Sequence, residues 1–244
     1  MRSYCASALS QTVQTKTRKE YEMKNQPWAT AALLLIIIAV AFGFGVQFNP
    51  WEENQAQFSL FINQHSLSAV PNRVLAFYSP TYFMQAAGGY VTALFIHHGW
   101  LHVMEAVYPL AFLGASVERA YGWKGLLIAF FVGGIGGEIG SSAMLIAHTD
   151  GNGNMGTIGA SPAMYAIVAF FIVAYAQRWK TYWLHLILAV GILGIEAYTI
   201  LDLLSDPNVK NASNHASHVS GFLIGLLLAL WLRPTSKQKL AVAS

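Results

Sequence analysis

Gly159-Ala160-Ser161-Pro162 closes a polar connector, Thr149 to Ile158, and opens an apolar run from Ala163 to Ala176. The junction reads as the mouth of a helix that crosses a membrane. Proline suits the first helical positions, where no amide hydrogen is needed, and a serine beside it is ordinarily a cap. A serine at such a mouth can also be a nucleophile. The choice depends on what other helices bring to the same height.

Outward from this stretch the chain is a series of apolar runs. Of its 244 residues 55% are hydrophobic and 10% charged, against about 25% charged in soluble domains. A bilayer core needs roughly 20 helical residues. Spans are predicted at Ala29 to Phe48, Ala93 to Val117, Gly125 to Ala147, Ser161 to Gln177, Tyr182 to Leu203 and His215 to Leu232. The fold class is therefore an all-α membrane protein, a six-transmembrane-helix bundle. It divides into an N-terminal tail over 1–28, a membrane domain over 29–232 and a C-terminal tail over 233–244. The polar, basic start and the long first run predict no cleaved signal. The aromatic-rich loop Asn49 to Gly89 is expected at the membrane interface. Gly133, Gly134, Gly136, Gly137 and Gly140 predict a closely packed, central third helix. The single cysteine, Cys5, excludes an intrachain disulfide and a cysteine metal cluster.

Lysines and arginines set the orientation. With a cytoplasmic N-terminus, Arg2, Lys16, Arg18, Lys19, Lys24, Arg119, Lys124, Arg178, Lys180, Arg233, Lys237 and Lys239 lie inside, and only Arg73 and Lys210 outside. Positive charge stays inside, so both termini are expected to be cytoplasmic.

Depth then becomes measurable. Ser161 lies 17 residues before Arg178 and His102 17 before Arg119, each about 25 Å from the cytoplasmic end; His218, 15 before Arg233, is about 22 Å up. Three polar positions on three helices thus converge near the outer face. A histidine inside a membrane is costly and by default functional or paired. It is also the base that serine needs before it can attack. A helix N-terminus adds unpaired amides and a positive dipole end for an anionic intermediate. Gly221 and Gly225, four apart, predict close approach of the sixth helix to the fourth.

These residues resemble the rhomboid family of intramembrane serine proteases over about Tyr90 to Leu232. The resemblance rests on Tyr90-Val-Thr-Ala-Leu-Phe-Ile-His-His-Gly-Trp-Leu-His102, on Leu113-Gly114 with Glu118 and Gly122, on Gly159-Ala160-Ser161, and on His215-Ala-Ser-His218-Val-Ser-Gly221 with Gly225. It implies a rhomboid-like bundle with a Ser161–His218 dyad and no carboxylate, and an oxyanion hole from His102 and the Ser161 backbone amide. The substrates implied are transmembrane segments of membrane proteins, entering from the lipid and cut near the extracytoplasmic face. No cofactor, metal or nucleic-acid partner is expected beyond the lipid bilayer, and a bacterial inner membrane is the expected location.

The sequence departs from the family pattern at three places. Ala106 stands where an oxyanion asparagine is usual, with Asn152 and Asn154 as candidate replacements. Pro162 replaces the glycine after the serine, and Gly88-Gly89 stand in place of a Trp-Arg pair. Ala106 supports an alternative, a catalytically weak or inactive protein that binds membrane clients. A second alternative is a metal or haem site among His97, His98, His102, His215 and His218. A transporter finds no inverted repeat. Glu138 and Glu196 are expected to hydrogen-bond inside the bundle or to be protonated, and no catalytic role is expected of either.

Overall fold

The computed structural model describes residues 26–43, 88–97, 99–149, 158–205 and 209–233. Most of both tails and of the loop expected at the interface, together with His98, Asn152 and Asn154, lie outside these residues. Every regular element among the described residues is helical. α1 is Trp28–Gly43; α2, Trp100–Pro109, continues through a π-turn at Leu110–Gly114 into α3, Ala115–Ile128. A second π-turn, Ala129–Gly133, leads into α4, Gly134–Thr149; α5 is Ser161–Tyr175, α6 Trp183–Ser205 and α7 Val209–Leu232.

Among the described residues three helical stretches are long and apolar enough to cross a membrane: Trp100–Met144, Trp183–Leu203 and Asn214–Leu232; Trp28–Gly43 is apolar but shorter. The first of them has 45 residues. At 1.5 Å per residue it is about 67 Å long, more than twice a hydrocarbon core of about 30 Å. It is not continuous. Gly122 breaks it with φ 76° and ψ 172°, a left-handed backbone that glycine adopts without penalty. The break separates the expected second span from the third.

The second span starts later than the apolar pattern suggested. A short helical piece covers 88–93, and α2 begins at Trp100. The short piece ends at Ala93, whose carbonyl accepts the Gly159 amide of another segment at 2.8 Å. At the other end of the chain α7 starts at Val209, so His215 lies well inside a helix that was expected to begin there.

α5 is the axis of the bundle. Pro162 through Phe171 and Tyr175 are all buried, which gives the fourth helix the central place expected for the third. α4 is instead the small-residue partner packed beside it. A Cβ at Gly137 would collide with Pro162, and one at Gly133 with Ala166. α7 closes on α5 in the same way: a Cβ at Gly221 would strike the Pro162 carbonyl oxygen, and one at Gly225 would lie 2.5 Å from Ala166 Cα. Small residues replace side-chain volume with backbone contact where no water drives helices together.

The far end of α5 is tied down by Tyr175, which donates to the Ser116 carbonyl at 2.8 Å. Nearby, Glu118 is buried and caps α1. It accepts the Ala29 amide at 3.0 Å, the Thr30 amide at 2.8 Å and the Thr30 hydroxyl at 2.8 Å. A carboxylate over the first amides of a helix satisfies unpaired donors and complements the helix dipole. α6 is different. Leu184, Ile187, Val190, Ile195, Tyr198 and Leu201 are exposed along it, so it lies at the edge of the bundle.

Candidate active site

The connector before α5 is held in place from the 93–97 turn. Gly159 has φ +112°, and a Cβ there would lie 2.5 Å from His102 Nε2. Glycine is needed twice over, for the backbone and for the approach of His102. His97, buried, donates from Nδ1 to the Phe95 carbonyl at 3.2 Å and accepts the Ala160 amide at Nε2, 3.3 Å away. Its ring meets that of His102 edge-on, with centroids 5.0 Å apart. Two histidines thus brace the mouth of α5.

Ser161 is not a cap. Ala160 occupies the capping position, no side chain makes a capping bond, and Pro162 follows at the helix start. The Ser161 hydroxyl instead lies 2.9 Å from His218 Nε2. His218 stacks on Tyr165, with ring centroids 4.4 Å apart and planes 19° from parallel. Tyr165 is four residues beyond Ser161, on the same helix face. The stack fixes the imidazole plane while the hydroxyl of Ser161 meets its edge.

The other edge of the imidazole meets α6. His218 Nδ1 donates to Glu196 Oε2 at 2.8 Å, Tyr165 donates its hydroxyl to the same oxygen at 2.9 Å, and His215 Nδ1 donates to Oε1 at 2.8 Å. Glu196 therefore does hydrogen-bond inside the bundle, as expected, but its partner is the histidine that touches Ser161. This contact was missed, although a signal for it existed. Glu196 lies 16 residues after Lys180, about 24 Å along a helix from it, close to the distance expected between Ser161 and Arg178.

The expected residues are thus distributed in two groups. Ser161 and His218 are joined directly, and His102 stands at the neighbouring Gly159. Ala106, at the position of the usual asparagine, is only 2% exposed and belongs to an apolar cluster with Val103, Leu110 and Ala160. Of the histidines proposed as metal ligands, His97 bonds the connector and His215 and His218 bond Glu196. Glu196, His215 and His218 offer three ligand atoms within 4.8 Å of one another, and both histidines are hydrogen-bonded to the carboxylate at 2.8 Å.

Residues 85–235 match the family model of the rhomboid domain. The chain belongs to the rhomboid family. Among curated proteins it is 30% identical over 144 residues to rhomboid-type serine protease 2 of Emericella nidulans, covering 58% of this chain and 26% of that protein. It is 24% identical over 194 residues to rhomboid-like protease 2 of Toxoplasma gondii, covering 75% and 65%. To the chloroplastic rhomboid-like protein 11 of Arabidopsis thaliana it is 30% identical over 155 residues, covering 59% and 51%. This rhomboid thus spans from about a quarter to just under two thirds of these relatives. They are fungal, apicomplexan and plant proteins, and they give the expected bacterial inner membrane no support. Family membership and the apolar helices make it a membrane protein of a family that includes serine proteases.

Proposed function

We propose that this rhomboid is an intramembrane serine endopeptidase that cuts transmembrane segments of membrane proteins near the extracytoplasmic face. The observation that carries the reading is the 2.9 Å contact between the Ser161 hydroxyl and His218 Nε2. In this reading six spans cross the bilayer, with both termini on the cytoplasmic side. α5 has 15 residues, about 22 Å of helix, which is shorter than the hydrocarbon core. Its N-terminus is therefore recessed, and Ser161 with it.

The chemistry follows from the contacts. His218 Nε2 takes the Ser161 proton as Oγ bonds to the carbonyl carbon of the substrate. The carbonyl oxygen becomes an oxyanion beside the Ser161 backbone amide, where the first amides of α5 lack helical partners, with His102 as a second donor. His218 then passes its proton to the leaving amine. Water, activated by the same imidazole, hydrolyses the acyl-enzyme and restores the serine. A substrate helix must unwind locally to present its carbonyl, because a helical peptide bond is already hydrogen-bonded within the helix.

A second reading, client binding without cleavage, is favoured by Ala106, since losing an oxyanion donor costs about 2.7–4 kcal/mol of transition-state stabilisation. One experiment separates them. Purified protein in liposomes is expected to cleave a model transmembrane substrate and to react with a fluorophosphonate at Ser161. Ser161→Ala and His218→Ala are expected to abolish cleavage, and a chelator to leave it unchanged. Binding of the substrate without cleavage or labelling would establish the client-binding reading, and loss of cleavage in chelator the metal reading.

A further inference from the structure

We propose that Glu196 is the positioning residue of this site, so that it works as a Ser161–His218–Glu196 triad rather than the dyad implied by the family resemblance. The inference rests on the proposed roles of Ser161 and His218, and it begins from a carboxylate with no ordinary reason to be where it is. Glu196 lies on α6, the helix at the edge of the bundle, and is only 7% exposed. A carboxylate buried in a membrane protein is expensive unless donors surround it. Here three donors from two other helices do so: Tyr165 of α5, and His215 and His218 of α7.

The arrangement of these donors assigns the role. An ionised carboxylate only accepts hydrogen bonds, so the bond at Oε2 keeps the proton of His218 on Nδ1. That leaves Nε2 unprotonated, facing the Ser161 hydroxyl at 2.9 Å. The carboxylate thus selects the one tautomer that can act as base. When Nε2 takes the serine proton, the imidazolium has its countercharge 2.8 Å away on Oε2. The proton does not move on to Glu196; it returns from Nε2 to the leaving amine, and the Nδ1 proton stays in place. In a low-dielectric interior a charge formed without such a partner is far more costly than in water.

His215 and Tyr165 hold the carboxylate itself. His215 fixes Oε1, Tyr165 shares Oε2 with His218, and the Tyr165 ring also carries the stacked imidazole. Carboxylate, imidazole and hydroxyl are therefore set by a common group of side chains. A carboxylate that merely fastened α6 to the bundle would fix the same tautomer, but its neutralisation would cost stability and leave kcat per folded molecule unchanged. That difference is measurable.

Three measurements on the full chain test the assignment. With Glu196→Gln in liposomes, kcat for a model transmembrane substrate is expected to fall about 10³-fold or more, by analogy with the roughly 10⁴-fold loss on changing the triad aspartate of a serine protease to asparagine. KM is expected to stay near wild type, the thermal midpoint to fall only modestly as one acceptor oxygen is lost, and fluorophosphonate labelling to slow in parallel with kcat. Glu196→Asp, which keeps the charge, is expected to recover at least tenfold over Glu196→Gln. Nitrogen NMR of unmodified protein with labelled histidine is expected to show His218 protonated on Nδ1 and bare on Nε2. A kcat for Glu196→Gln within threefold of wild type, or a His218 carrying its proton on Nε2, overturns the proposal; the second holds even if the variants do not fold. Failure of the underlying protease reading looks different, as equal cleavage by wild type and Ser161→Ala.

Discussion

Two of the buried glutamates, Glu118 and Glu196, differ in their donors, and the donors give them different work. Glu118 and Glu196 are each 7% exposed, and each accepts three hydrogen bonds. The donors to Glu118 are two backbone amides and one hydroxyl at the start of α1. Those groups do not exchange protons, so Glu118 fastens a helix. The donors to Glu196 include the imidazole that faces Ser161. Burial and charge are alike at both ends; only the acid–base character of the partner differs. A buried carboxylate therefore says little about function until its donors are known.

The comparison breaks most sharply if the two are removed in parallel. Glu196→Gln is expected to lose about 10³-fold in kcat per folded molecule, far beyond the modest fall in melting point from an amide NH2 set against buried donors. Glu118→Ala is expected to do the reverse: kcat/KM per folded molecule within twofold of wild type, and stability lowered by about 1–3 kcal/mol, the cost of stranding buried donors. Paired kinetics and thermal unfolding decide it. Equal effects of the two on both readouts would erase the distinction.

A second variant approaches the Glu196 end through packing alone. Gly221→Val places side-chain atoms against the Pro162 carbonyl, which is backbone and has little room to yield. α7 must shift outward and carry His218 from Ser161. Cleavage is expected to fall about 10²-fold, since a misplacement near 1 Å can cost that much, while the Glu118 end keeps its structure by hydrogen exchange at Ala29 and Thr30. Unchanged activity would show that the dyad tolerates a looser helix pair.

The smallest effect concerns Ala106. Ala106→Asn restores the usual donor type and is expected to raise kcat about tenfold, less than the 10²–10³ of a full oxyanion donor. The difference arises because the position is 2% exposed among apolar side chains, where part of the new amide is left without a partner. No change in rate would mean that another donor already serves the oxyanion.

Much of the fold was legible in the sequence. Ser161 and His218 could be paired in advance because rise per residue converts sequence distance into depth. The glycines of α4 and α7 were readable as contact faces. The start of α2 was not, because the hydrogen bond from Gly159 to Ala93 is long-range and no local preference encodes it. The central position of α5 was hidden for another reason. Lipid and protein both favour apolar side chains, so an all-apolar helix looks the same whether it faces one or the other.

Glu196 shows where the division lies. The sequence by itself determined that this is a helical membrane protein, and it set Ser161, His102, His218 and, unused at first, Glu196 at similar helical distances from basic residues at the span ends, since helical rise and the charges at the helix ends are local properties. Only the tertiary structure decided that Glu196 turns toward His218 and His215 rather than toward a neighbour of another kind. The rotation of each helix about its own axis is set by packing against the others, through Pro162 and Ala166 on one side and Gly221 and Gly225 on the other, and no single segment carries that information.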